Sequence, residues 1–333
     1  MKIETNHYAY QNGKDYCEYT LTNDNGMVVK LLNYGATLKQ ILLPNKDGQL
    51  ENVILSLPTA LDYSKERNFL GGTVGRVNLG KHTLELPIND GNNHIHGGSG
   101  IDTMVWNTSK LRVEEDAEFV QVTFSLIDFD GHNNYPGNLK IEVTYTLDND
   151  NCLDYNIFAF SDQLTIFNPT NHVYFRLDGP NSDVKDLQMQ IDADYYLPLD
   201  NESLPYLGMK KVTNTIFDMR KPTRLGDILD SKEPEIRREH GLNHPFILNS
   251  QRSCAKIISP KTGRKLTMTT DAPSVVVYTA NHFNHTGVAK NIGRYDGVTL
   301  EAQNPPVSGD DLNASLLVAN DSFIRSISWT FDF

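Results

Sequence analysis

Cysteine is nearly missing from this sequence. Only Cys17, Cys152 and Cys254 occur in 333 residues. They lie far apart, are odd in number and show no CxxC spacing, so neither a disulfide framework nor a structural zinc site is expected, and a reducing, cytoplasmic setting is. Long apolar runs are missing too. No stretch approaches the ~20 apolar residues that span a bilayer. The opening residues, Met1 to Tyr10, lack the apolar core of a signal peptide. Positive charge is in deficit: 30 Lys and Arg against 42 Asp and Glu leave a formal charge of −12. Such a surface repels phosphate backbones and anionic lipids, so no nucleic-acid and no membrane partner is expected, whereas a neutral ligand is indifferent to it. Neither GxxxxGKS/T nor GxGxxG occurs, which removes support for phosphate cradles of those kinds. The nucleophile elbow GxSxG is also absent, because Ile101 breaks the pattern around Ser99.

What the sequence does have is apolar material, 39%, against 22% charged residues, enough for a sizeable core and too little charge for a disordered chain. That material alternates with period two. Val120, Val122, Phe124 and Leu126 alternate with polar residues, as do Ile141, Val143, Tyr145 and Leu147. After the turn Asp148-Asn149-Asp150-Asn151 the alternation resumes at Leu153, Tyr155 and Ile157, which predicts a hairpin with one face buried. Segments 274–278 and 326–330 read as further strands. Turn signals such as Asn45-Lys46-Asp47-Gly48 and Tyr135-Pro136-Gly137 recur at short intervals. The best helical stretch, Arg224 to Arg238, is interrupted by Pro234. No repeat, linker or composition break divides the chain. The expectation is an all-β protein, a single large antiparallel β-sandwich over residues 1–333.

Four short segments suggest chemistry. In Asn92-Asn93-His94-Ile95-His96-Gly97-Gly98 the two histidines share a face if the backbone is extended. A metal pair there lacks a third ligand nearby in sequence, and the glycines that follow favour close approach of backbone and ligand. Gly71-Gly72-Thr73-Val74-Gly75-Arg76 reads as turn and close-packing glycine. In Asn168 to Phe175, His172 and Tyr174 share a strand face; alone, His172 reads as a buried structural histidine. Glu301, in Val298-Thr299-Leu300-Glu301-Ala302-Gln303, shares a face with Thr299 and Gln303 opposite an apolar one.

Taken in order, these segments resemble the galactose mutarotase (aldose 1-epimerase) family. Asn33-Tyr34-Gly35-Ala36-Thr37, Gly75-Arg76, His94-Ile95-His96-Gly97-Gly98, Asp130-Gly131 with Tyr135-Pro136-Gly137-Asn138-Leu139, Asn168 to Phe175, Tyr278-Thr279-Ala280-Asn281 and Leu300-Glu301-Ala302-Gln303 are similar to family motifs. The resemblance implies a large antiparallel β-sandwich with an open sugar cleft, and a reaction without metal or cofactor. It implies Glu301 as the general base on the C1 hydroxyl, His172 as the general acid on the ring oxygen, and Arg76, His96, Tyr174 and Asn243 as sugar-binding residues. An acidic or acceptor neighbour of His172 is expected, as are a bell-shaped pH–rate profile and indifference to chelators.

Two positions depart from the family. Gly241-Leu242-Asn243-His244-Pro245-Phe246 holds Asn243 where the family has a sugar-binding aspartate, and Arg176 stands where asparagine is expected. The lost charge predicts weaker sugar binding, and that Asn243→Asp raises kcat/KM. Arg176, nominally on the face of His172, reads as a solvated strand arginine or as a contact for an anionic sugar. The alternatives to a mutarotase are a hexose-phosphate 1-epimerase, a non-catalytic sugar-binding protein of the same fold, and a carbohydrate-binding module.

Overall fold

A computed structural model describes residues 1–76, 85–114, 118–250, 254–306 and 315–333. Strands dominate it, and every pairing among the described residues is antiparallel. The strands form a large antiparallel β-sandwich, as the alternation predicts. A five-stranded meander takes up Lys2–Gln11, Lys14–Thr22, Val28–Leu32, Thr37–Pro44 and Leu50–Asn52. A nine-stranded sheet runs, edge to edge, through Thr223–Arg224, Gln188–Ile191, Cys254–Ile258, Lys265–Thr270, Ser322–Asp332, Cys152–Ser161, Leu139–Asp148, Phe119–Asp128 and Asn107–Glu114. A six-stranded sheet runs through Tyr174–Phe175, Val298–Gln303, Ser274–Tyr278, Asn243–Leu248, Ala193–Tyr196 and Lys210–Lys211.

The hairpin read from the sequence forms in the expected register, with Leu147 opposite Leu153 and Tyr145 opposite Tyr155. Asn151 closes its turn in the left-handed region, φ 59°, where Asn is tolerated. The inward-facing apolar residues of Phe119–Asp128, Leu139–Asp148 and Cys152–Ser161 are buried in one cluster that draws on all three sheets. The helical stretch resolves into two short helices, α1 (Leu225–Leu229) and α2 (Pro234–Glu239). Pro234 starts the second helix rather than breaking the first, because at a helix N-terminus its missing N–H has no bond to forfeit.

The core also fixes the segment around His172. Ring centroids step from Tyr145 to Tyr155 (5.0 Å), Tyr155 to Trp329 (5.9 Å) and Trp329 to Phe175 (6.2 Å), carrying contact from the nine-stranded to the six-stranded sheet. The buried Tyr145 hydroxyl donates to the Ala36 carbonyl (2.7 Å) and accepts from Asn171 Nδ2 (2.9 Å), one residue before His172. The His172 N–H donates to the Gly72 carbonyl (3.0 Å), and its own carbonyl accepts from the Gly71 N–H (2.9 Å). This contact explains Gly71, at φ +67°: a Cβ there would lie 2.0 Å from the Leu38 carbonyl oxygen. No helix among the described residues is long and apolar enough to cross a membrane. The three cysteines are free.

Candidate active site

One face of the six-stranded sheet floors a cleft of about 500 Å³. Its strand register sets the floor. Tyr174 pairs with Thr299, Thr299 with Tyr278, and Tyr278 with Asn243. One step along, Glu301 pairs with Val276 and Val276 with Pro245. Cross-strand partners share a face, so Tyr174, Tyr278, Asn243, Glu301, Val276 and Pro245 all reach the cleft. All six residues of Val298–Gln303 are buried, so Glu301 is not a solvated strand glutamate. The Thr299 hydroxyl donates to Glu301 Oε1 at 3.1 Å.

His172 enters between the short strands Thr170–Asn171 and Tyr174–Phe175, and its Nε2 stands 3.5 Å from Glu301 Oε1. Both residues are buried, at 4% exposure each. The imidazole lies between aromatic rings, Tyr174 at 5.0 Å and Phe69 at 5.6 Å, with His96 edge-on at 5.1 Å. Its Nδ1 has no hydrogen-bond partner among the described residues. The acidic neighbour expected for His172 is therefore Glu301 itself. Burial, with Tyr278 and Glu301 nearby, holds the Tyr174 hydroxyl well above its ordinary value, so it remains a donor.

His96 reaches the cleft from a loop held by Arg67. Arg67 grips Asp102 with two bonds, Nε to Oδ2 (2.7 Å) and Nη2 to Oδ1 (2.6 Å). The same guanidinium donates to the carbonyls of His96 and Gly98. Arg67 also lies 4.4 Å from the Phe69 ring centroid, and that ring meets both His96 (4.7 Å) and His172. Phe69 and His96 both have left-handed backbones, φ 61° and 50°. For a bulky residue such as Phe69 this is strain held by its surroundings, and it flanks the histidines. Burial first, then the neighbouring His172 and Arg67, keep the His96 imidazole well below the ordinary 6.5.

That shift has a stability consequence. Above pH 6.5 the His96 imidazole is neutral in both folded and unfolded chains. Below it the unfolded chain takes a proton that the folded chain refuses. Stability then falls with falling pH, by about 1.4 kcal/mol per pH unit, until the folded value is reached. Denaturant unfolding should therefore show wild type losing more stability than His96→Gln between about pH 7 and about pH 5.5. Equal losses would contradict a buried, neutral His96.

His94 does not join His96. Its Nδ1 faces the Pro87 carbonyl (2.5 Å) and its Nε2 the Tyr135 hydroxyl (2.8 Å), so the His94/His96 metal pair is replaced by a structural histidine beside a cleft histidine. The set with metal-ligand geometry is instead His96, His172 and Glu301, whose ligand atoms lie within 4.8 Å of one another.

Arg76 is not the sugar-binding residue that the resemblance implies. It does not line the cleft. Its guanidinium is buried and donates to Asp128 Oδ2 (3.1 and 2.8 Å) and the Thr165 hydroxyl (2.7 Å), 4.6 Å from the centroid of Tyr135. It backs the glycine loop: a Cβ on Gly97 would fall 2.9 Å from Arg76 Cβ. Arg176 likewise lies off the cleft lining. The strand is interrupted at His172-Val173, so spacing by four no longer keeps one face; Arg176 is half-buried, its Nε has no hydrogen-bond partner among the described residues, and Asp296 is the charge that acts on it. Asn243 does line the cleft, and its Nδ2 donates to Glu239 Oε2 at 3.1 Å.

Comparison with known proteins places this fold in a family. The sequence profile of the family described as aldose 1-epimerase matches residues 18–323. An aldose 1-epimerase of Haemophilus influenzae is 33% identical over 318 residues, 90% of either chain. A galactose mutarotase of Rattus norvegicus is 34% identical over 295 residues, 84% of this chain and 82% of its own. The crystal structure of a galactose 1-epimerase from Lactobacillus acidophilus superimposes with a TM-score of 0.91 at 48% identity, covering 99% of this chain and 98% of its own.

Proposed function

The chain belongs to the aldose 1-epimerase family, and from that premise we propose that Glu301 and His172 are the acid–base pair with which it interconverts the α and β anomers of a free hexose such as galactose or glucose. The observation that carries the assignment is the 3.5 Å approach of His172 Nε2 to Glu301 Oε1 on the cleft floor. The two oxygens of a hemiacetal are bonded to one carbon, so two groups this close can each address one of them.

Glu301 takes the C1 hydroxyl proton, and the electron pair left on that oxygen forms the carbonyl. The C1–ring oxygen bond breaks, and the ring oxygen receives the His172 proton. The open aldehyde turns about C1–C2. On closure His172 takes back the proton of the attacking hydroxyl and Glu301 returns its own to the carbonyl oxygen, giving the other anomer. His96, Tyr174 and Asn243 hold sugar hydroxyls. The chemistry asks for no nucleotide or resident metal and for no partner beyond the sugar, and the three free cysteines suit a cytoplasmic setting. Besides Glu301, the cleft-lining carboxylates Glu66, Asp90 and Glu202 oppose a phosphorylated substrate.

Proton saturation transfer between the two anomeric resonances of galactose tests this reading. It should appear on adding the protein, and its absence for both galactose and glucose would leave a sugar-binding protein without this activity. The ligand set gives a second expectation. EDTA should leave the rate unchanged, and added zinc should inhibit in competition with sugar, because it would bind the acid and base themselves together with His96. Loss of activity in EDTA, restored by zinc, would instead put a metal in the reaction.

A further inference from the structure

The helix α2 carries two buried carboxylates four residues apart, Glu235 and Glu239, and so on one face. Each is used twice. Glu235 Oε2 accepts the Leu199 N–H (3.1 Å) and lies 3.3 Å from His244 Nε2. Glu239 Oε2 accepts the Ser203 hydroxyl (2.8 Å) and the Asn243 amide Nδ2 (3.1 Å), and its other oxygen faces Arg238 Nε at 3.4 Å. One helix thus pins two consecutive residues of the cleft-floor strand and both ends of the segment 199–203. Leu199, Ser203 and Asn243 all line the cleft. The join from helix to strand is itself fixed: His240 ends α2 in the left-handed region, φ 58°, and a Cβ on Gly241 would lie 2.2 Å from Asn281 Oδ1.

We propose that Glu239 is the positioning residue for sugar binding by Asn243, supplying from behind the strand the negative charge that Asn243 lacks, and setting which way the amide points. This rests on the mutarotase reading. A carboxylate has no proton to donate, so it accepts only from the amide nitrogen, and Asn243 Oδ1 is left as the acceptor toward the cleft. The Asn243–Glu239 pair is a unit: the polarity at 243 suits a carboxylate at 239. The expectation drawn from Asn243 alone therefore reverses. Aspartate at 243 would place a second carboxylate where the amide nitrogen now stands, 3.1 Å from Glu239 Oε2. Like charges that close cannot both remain ionised in place; the new carboxylate turns away or takes up a proton.

The test is mutarotation of galactose and glucose by four proteins: wild type, Asn243→Asp, Glu239→Gln and the double variant. Asn243→Asp should lower kcat/KM by about tenfold or more, chiefly through KM, because the misplaced group binds sugar and leaves the acid and base alone. Glu239→Gln alone, whose amide oxygen can still accept from Asn243, should raise KM by about threefold. In the double variant the new amide at position 239 donates to the new carboxylate at position 243, restoring the pair with its polarity exchanged, and kcat/KM should return to within about threefold of wild type. A wild-type protein without activity would sink the mutarotase reading. With wild type active, an Asn243→Asp enzyme equal to or better than wild type overturns the inference. So does a double variant as impaired as the two losses multiplied together, even where both variants melt like wild type.

Discussion

Glu301→Gln should lower kcat for mutarotation by about 10²–10⁴-fold, the ordinary contribution of one general acid–base group. The substitution is close to isosteric. Gln keeps an oxygen to accept from the Thr299 hydroxyl, and the backbone pairing of residue 301 with Val276 is untouched. What it removes is the ability to take the C1 hydroxyl proton. It also leaves the buried His172 without its acidic neighbour at 3.5 Å, so stability should fall. Thermal unfolding alongside polarimetry separates the two effects. A variant that melts like wild type and turns over like wild type would take Glu301 out of the chemistry.

His172→Asn should cost a similar factor, about 10²–10⁴ in kcat, with a signature that tells it apart. The imidazole lies against Phe69 and Tyr174 and meets the edge of His96, and asparagine forfeits those three ring contacts. Stability should fall by about 1 kcal/mol, the scale of one aromatic pair. The backbone bonds of residue 172 to Gly71 and Gly72 remain, so the fold should persist. Because acid and base act on one substrate in one step, the double variant with Glu301→Gln should be hardly slower than the worse single variant. Losses that multiply in full would mean the two residues act in separate steps.

Much of this was legible in the sequence because period-two alternation reports which face of a strand is buried. It found the hairpin that runs from Ile141 through the turn at 148–151 to Ile157, and put Glu301 with Thr299 on a common face. It could not see what long-range packing adds. Arg67 lies in the polar stretch Glu66-Arg67-Asn68, and its partner Asp102 is 35 positions away. Nothing local marks either as the clamp on the His96 loop. Arg76 misled because a family-like Gly-Arg pair gives no sign of whether its guanidinium faces the cleft or, as here, Asp128 behind it. Arg176 misled because alternation was carried across an interruption of the strand. The pairing of Asn243 with Glu239 was not legible: the four-residue spacing is visible in the sequence, but the helix ends between them, and only the turn at His240 and Gly241 brings the two side chains together.

Optical rotation of freshly dissolved α-D-galactose, followed beside methyl α-D-galactoside, tests the central claim most directly. The free sugar has the C1 hydroxyl that Glu301 must deprotonate, and the glycoside has lost it. Acid–base ring opening predicts that the protein speeds the approach of galactose to its equilibrium rotation in proportion to its concentration and leaves the methyl glycoside unchanged. A galactose trace no faster than buffer alone, or a methyl glycoside whose rotation drifts in the presence of the protein, would contradict it.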